Sequence, residues 1–299
     1  MGVHIHSMSI ISELMIKLSK EDNKQMIKTD YKLNNNILIP SIGFGTWQIP
    51  DGDDAYNSTL WALENGYRHI DTAYVYRNEK SVGQAIKDYG LDRSDVFVTT
   101  KLSANIKDST LVREYALKSL DNLGLDYVDC YLIHNARPWS DGIEGHDYFE
   151  ENVAVYKVME ELYDEGKVRS IGVSNFLVKD LENLLEYSMV IPVLNQIKFH
   201  PGYLQEDIVE FCENHQILVE AYSPFATGKI FGHEDIIKLA QKHNKTEAQI
   251  ILRWILQLGH LPLPKSVTKE RIISNLDVFD FNLDDEDMKV MNNFKYEAQ

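Results

Sequence analysis

A carboxylate, a phenol, an amine and an imidazole stand out in the first half of the chain: Asp71, Tyr76, Lys101 and His134. These four groups together can move a proton, which points to an enzyme rather than a scaffold. Each sits at the end of, or just past, a short apolar run. Asp71 and Tyr76 lie in GYRHIDTAYVYRNE, residues 66–79; Lys101 closes VFVTTK and His134 closes VDCYLIH. Groups at the ends of successive strands converge only if the strands are parallel neighbours. In parallel β/α folds the C-terminal strand ends are where chemistry is placed.

The elements needed to position these groups are legible along the chain. From residue 41 onward, strand-like runs cover 41–47, 68–73, 96–102, 128–134, 168–175, 193–199, 218–224 and 261–267. Amphipathic helical patterns fall between them, as at 79–90, 108–124 and 150–167. In the last of these, Val153, Tyr156, Val158, Met159 and Leu162 form an apolar face. Gly90, Gly124 and Gly166 follow their helices where a left-handed residue ends a helix. Eight strands alternating with helices predict an α/β (β/α)8 barrel, residues 31–299 forming one catalytic domain with a short C-terminal tail. The rival, an open doubly wound sheet, wants a G-x-G-x-x-G turn; Gly43-Phe44-Gly45-Thr46 lacks the third glycine. Residues 31–40, with three asparagines between apolar flanks, predict a hairpin that plugs the N-terminal end of the barrel. Residues 1–30 read as an extension, either disordered or a short helix over 9–20, and His4 and His6 lack further ligands nearby.

Composition narrows the class. The chain has 299 residues, 44% of them hydrophobic, and a net charge of −16. A nucleic-acid binder normally shows a basic footprint, so no nucleic-acid partner is expected. An anionic ligand needs a local basic pocket in so acidic a chain, and Lys265 to Arg271 is the candidate. No apolar run is long enough to span a membrane. Two cysteines, Cys130 and Cys212, form neither a disulfide framework nor a metal spacing. The expectation is a cytoplasmic protein, monomeric or weakly homo-oligomeric, without metal.

The motifs GFGTWQI, GYRHIDTAYVYRNE, VFVTTKL, YLIH, IGVSNF, NQIKFHP, AYSPF and PKSVTKERIISN follow one another in the order seen in aldo-keto reductases. The chain resembles that family from residue 31 to about residue 295, and in particular its bacterial members that reduce diketo acids and methylglyoxal-like aldehydes. The resemblance implies NAD(P)H-dependent reduction of a small aldehyde or ketone. It assigns Tyr76 as general acid, Lys101 as the ammonium that lowers the phenol's pKa, Asp71 as partner of Lys101, and His134 as the group directing the substrate oxygen. By the same resemblance Ser174, Asn175 and Gln196 hold the nicotinamide carboxamide and Tyr222 stacks on the ring. Thr46, Trp47 and Ser223 complete that end. Lys265, Ser266, Val267, Thr268, Arg271 and Asn275 match the adenine and 2′-phosphate end, which implies NADPH, with NADH as the alternative. The chain departs from the family pattern at Asn135, Lys198 and Ser274, and has a short segment after the seventh barrel strand, Phe225 to His233. Trp47, Trp139 and Arg137 are candidates for the substrate pocket; Arg137 suits either a substrate carboxylate or a solvated loop charge. A reading from another class stays open: a nicotinamide-binding, redox-sensing regulatory subunit of a membrane protein.

Overall fold

A computed structural model describes residues 29–141 and 145–295. The helix expected over 9–20, and His4 and His6, lie outside the described residues. Two short antiparallel strands, β1 (Asp30–Lys32) and β2 (Leu38–Pro40), form the expected hairpin. Eight parallel strands follow: β3 (Phe44–Gly45), β4 (His69–Asp71), β5 (Phe97–Leu102), β6 (Cys130–Ile133), β7 (Ile171–Ser174), β8 (Leu194–Lys198), β9 (Leu218–Tyr222) and β10 (Leu261–Leu263), paired in chain order. Gly43 and Gly45 donate from their backbone N–H to the carbonyls of Pro262 and Pro264 at 3.1 and 3.0 Å, which joins the first strand of the sheet to the last. Both proline residues lack an N–H to return, so this seam is weaker than the others and β3 is only two residues long. The strand expected over 41–47 is shorter for that reason.

Side-chain alternation explains the interior. Phe97, Cys130, Leu132, Leu194, Leu261 and Leu263 form one apolar cluster, while Val98, Tyr131, Ile133 and Ile197 belong to another, shared with the surrounding helices. Residues two apart on a strand face the same way. The strand face that puts Phe97 inside therefore puts Thr99 and Lys101 inside as well. By the same parity Asp71 lies above His69, and Glu220 above Leu218. The lower interior is apolar and the upper interior polar. Leu33 and Ile39 of the hairpin pack into the lower cluster. Tyr31 Oη donates to the carbonyl of His260 at 3.2 Å, Asn34 Nδ2 to that of Pro192 at 3.0 Å and Asn35 Nδ2 to Ser170 Oγ at 3.0 Å, all just before strands begin. The hairpin thus closes the N-terminal end, as expected.

The helices stand outside the strands. Ser109–Leu123 starts at Asp108, whose side chain accepts from the Thr110 N–H, and Gly90, Gly124 and Gly166 take positive φ of 78°, 65° and 71° after their helices. In Phe149–Asp164 the buried face consists of Asn152, Val155, Tyr156, Met159 and Leu162, rotated from the expected stripe, with Val153 and Val158 at its edges. Asn152 faces inward because its amide binds the Ala136 carbonyl at 2.8 Å. No helix among the described residues is long and apolar enough to cross a membrane.

Candidate active site

Asp71 ends β4, Lys101 is the penultimate residue of β5, and His134 directly follows β6. Tyr76 closes a short 3-10 turn, Tyr74–Tyr76, which ends at Arg77 with a left-handed φ of 61°. Asn78 fixes that turn. Its amide donates to the carbonyls of Thr46 and Ile49, both at 2.9 Å, and accepts from Thr72 Oγ1 at 2.9 Å. One buried amide therefore ties the loop bearing Trp47 to the turn bearing Tyr76.

The four groups meet at the C-terminal mouth of the barrel. Lys101 Nζ donates to Asp71 Oδ1 and Oδ2 at 2.7 Å and to the Thr72 carbonyl at 2.8 Å, and it lies 3.5 Å from Tyr76 Oη. On its other side Tyr76 Oη lies 3.5 Å from His134 Nε2. The Lys101 side chain is fully buried. Burial alone would strip its proton. The Asp71 carboxylate, by its charge and its hydrogen bonds, outweighs that cost and holds the ammonium above its usual range. Burial keeps the His134 imidazole neutral, reinforced by the Lys101 charge. The Tyr76 phenol departs from expectation. Burial pushes it up to about 12 although Lys101 pulls the other way. The ammonium is shared with Asp71 and Thr72, so its pull on the phenol is only partial. What results is a neutral phenol, holding its proton, between a permanent cation and a neutral imidazole.

Beside this group lie the positions that the family resemblance assigns to the nicotinamide. Ser174 Oγ donates to the Gln196 carbonyl at 2.9 Å. Asn175, at a left-handed φ of 57°, donates to the His134 carbonyl at 3.0 Å and accepts from Tyr222 Oη at 2.8 Å. Gln196 Nε2 donates to Asp71 Oδ2 at 2.9 Å and Glu220 Oε2 at 2.7 Å. Thr46 is buried and donates to the Asp71 carbonyl at 3.0 Å. Ser223 follows Tyr222 with φ 52°. This neighbourhood offers an aromatic ring at the strand end and amide groups held in fixed directions, which suits a flat carboxamide-bearing ring.

The remaining assigned positions stand apart, after β10. Ser266 and Asn275 are buried, while Lys265, Val267, Thr268 and Arg271 are exposed. Ser266 Oγ accepts from the Thr268 N–H at 3.0 Å, just before the helix Lys269–Leu276. Two cations at a helix start suit a phosphate.

The motif reading of the sequence assigns no role to three residues in this region. Asn78 is one, although it lies inside GYRHIDTAYVYRNE. Lys107 donates to the Asn135 carbonyl at 2.9 Å and Asn152 Oδ1 at 2.7 Å, pinning the loop after His134; burial lowers its pKa to about 7. Glu220 is fully buried under Gln196. An acid inside the apolar run LVEAY, two residues before Tyr222, was the available signal for it. Arg137 is corrected. It is buried and paired with Asp180 and Asp147, each at 3.3 Å, so it is neither a free anion receptor nor a solvated charge. Trp139 and Trp47 are 52% and 45% exposed, and Trp139 stands edge-on to His134 with ring centroids 5.5 Å apart, so both can line the mouth.

With that geometry in view, comparison with known proteins gives a consistent outcome. A family model described as the aldo/keto reductase family matches residues 41–295. A glyoxal reductase of Bacillus subtilis is 41% identical over 262 residues, spanning 88% of this chain and 91% of that protein. The crystal structure of an aldo/keto reductase from Brucella melitensis superposes with a TM-score of 0.82 at 41% identity, covering 88% of this chain and 98% of the other. The aldose reductase of Schistosoma japonicum gives a TM-score of 0.83 at 36% identity, covering 91% and 94%. The chain belongs to the aldo/keto reductase family, whose members reduce carbonyl groups to alcohols and generally use nicotinamide cofactors.

Proposed function

We propose that this family member reduces small aldehydes and ketones, dicarbonyl compounds such as glyoxal among them, with NADPH as the preferred cofactor and Tyr76 as the proton donor. The observation that carries the reading is Tyr76 Oη, 3.5 Å from both Lys101 Nζ and His134 Nε2, at the mouth of the barrel. A carbonyl oxygen seated between Tyr76 and His134 meets one O–H donor and one neutral imidazole. When bound, the nicotinamide supplies a hydride to the carbonyl carbon. Tyr76 gives its proton to the oxygen as negative charge develops there, and the resulting phenolate faces the Lys101 ammonium. Asp71 holds that ammonium in place. The rise in the phenol's pKa keeps the proton on Tyr76 until the oxygen becomes basic enough to take it.

The dicarbonyl preference rests on the 41% identity to the Bacillus subtilis glyoxal reductase and on a mouth flanked by Trp47 and Trp139. The NADPH preference rests on Lys265 and Arg271, exposed cations in a chain of net charge −16. No observation favours the regulatory-subunit reading. The test is steady-state oxidation of NADPH and of NADH against a panel of glyoxal, methylglyoxal, 2-keto acids and simple aldehydes. Turnover with small dicarbonyls, faster with NADPH, is expected. Oxidation of neither cofactor by any carbonyl on the panel would overturn the reading.

A further inference from the structure

Beneath the catalytic group lies an acid that the reaction as described does not use. Glu220 sits on β9 in register with Gln196 of β8, and with Leu261 of β10 on its other side. Its Oε2 accepts from Gln196 Nε2 at 2.7 Å. Its Oε1 is buried without a hydrogen-bond partner, 3.6 Å from His69 Nε2. The Gln196 amide has two N–H groups. One goes to Asp71 Oδ2 and one to Glu220 Oε2. Only its carbonyl oxygen is left to face a ligand. The two carboxyl groups thereby set which end of the Gln196 amide points into the cleft.

We propose that Glu220 is a positioning residue for the reductase reaction: as a protonated acid it fixes the Gln196 amide with its oxygen toward the nicotinamide carboxamide, and it leaves Lys101 balanced by Asp71 alone. The inference rests on the proposed seating of the nicotinamide beside Gln196. A carboxylate at this position would add a second negative charge under the phenol. The groups facing Glu220 bear this out. From β4 come Asp71 and His69, from β5 Lys101, from β6 Cys130 and from the 3-10 turn Tyr76. Lys101 is the sole cation in that set and is already paired with Asp71. β10 contributes only Leu261, Pro262 and Leu263. Burial, then the Asp71 charge, push the Glu220 carboxyl up to about 8, against the pull of Gln196 and Lys101. Burial keeps His69 neutral down to about pH 3, so its ring is no counter-ion. Gly43 packs on that ring: a Cβ there would come within 2.6 Å of His69 Nδ1.

The sign follows from the charges. Below about pH 8 Glu220 is neutral. Above it, the carboxylate becomes one of the charges that hold the Tyr76 pKa up, and the phenol is a poorer acid than with Glu220 neutral. Two variants and two ligands test this. Glu220→Leu removes the acceptor for Gln196. It is expected to weaken NADPH binding about tenfold, the value of one hydrogen bond. Binding of 2′,5′-ADP, which has no nicotinamide, stays as in wild type. Glu220→Gln keeps an acceptor oxygen but cannot ionise. Its NADPH affinity stays within about threefold of wild type, and the fall in single-turnover reduction rate expected of wild type from roughly pH 7 to 9.5 is lost. The proposal fails if Glu220→Leu binds NADPH normally or loses 2′,5′-ADP in parallel. It also fails if Glu220→Gln keeps the wild-type alkaline fall. Failure of the underlying reading looks different: wild type itself would then reduce no carbonyl.

Discussion

The floor of the barrel mouth and the exposed rim after β10 are built on opposite plans. On the floor, Lys101, Asp71, Gln196 and Glu220 are buried, and each is held by at least one side-chain hydrogen bond. At the rim, Lys265 and Arg271 are exposed, and neither has a carboxylate partner among the described residues. A floor of this kind is organised before any ligand arrives, so its groups need not rearrange as charge develops in the reaction. Rim cations pay rotamer entropy on binding and act through water and salt. The difference teaches where each class of effect must appear: rate constants at the proton-transfer group of the floor, Tyr76 and Lys101, and affinity alone at the rim.

The largest expected effect breaks the comparison on the floor side. Tyr76→Phe removes the proton while keeping the ring, and turnover should fall by about 10²-fold or more. Retention of more than about a tenth of wild-type turnover would show that another group is the acid. Next is Lys101→Met. It should be comparably slow, with a shifted pH–rate profile, since the phenolate loses its cation. It also leaves Asp71 buried without its counter-ion, so a stability loss of about 3–5 kcal/mol is expected in urea unfolding. An active variant with the wild-type pH profile would remove Lys101 from the proposed mechanism.

The rim gives a smaller and different effect. Arg271→Ala should weaken NADPH binding roughly 10- to 100-fold while leaving NADH binding nearly unchanged, because only NADPH carries the 2′-phosphate. Equal wild-type affinities for the two cofactors, or parallel loss of both, would show that Arg271 does not read that group.

Lys107 sharpens the contrast with least effect. It lies six residues after Lys101 but its hydrogen bonds go to neutral acceptors, Asn135 O and Asn152 Oδ1. Its pKa falls to about 7 in the folded state, below the usual 10.5. Between those values the unfolded chain binds more protons, so this group makes stability rise with pH across that window. Lys107→Met should flatten the thermal-unfolding midpoint against pH from about 7 to 10.5. An unchanged slope would show that the lysine is charged in the folded protein, like Lys101.

The frame of the molecule was legible because its chemistry is tied to strand ends. Asp71, Lys101 and His134 close apolar runs, and eight such runs in order are enough to infer the barrel. Strand limits were read too long wherever flanking apolar residues continue past the ladder, as before Phe44, where the Pro262 and Pro264 seam cuts pairing short. The pairings of Arg137 and Glu220 were not legible. Arg137 pairs with Asp180, 43 residues on, and Glu220 shares the Gln196 amide with Asp71, which lies 125 residues from that glutamine. Local pattern carries no trace of such pairings. The pKa of Tyr76 also escaped, since the sequence names its cation but not its depth of burial.

The central claim is that the proton-transfer group of the floor and the cations of the rim divide rate from affinity. Single-turnover reduction rates and NADPH dissociation constants, measured side by side on Tyr76→Phe and Arg271→Ala, test it most directly. The account predicts a rate loss of about 10²-fold with near wild-type affinity for the first variant. For the second it predicts an affinity loss of about tenfold or more with a near wild-type rate at saturating NADPH. Rate and affinity falling together in both variants would contradict it.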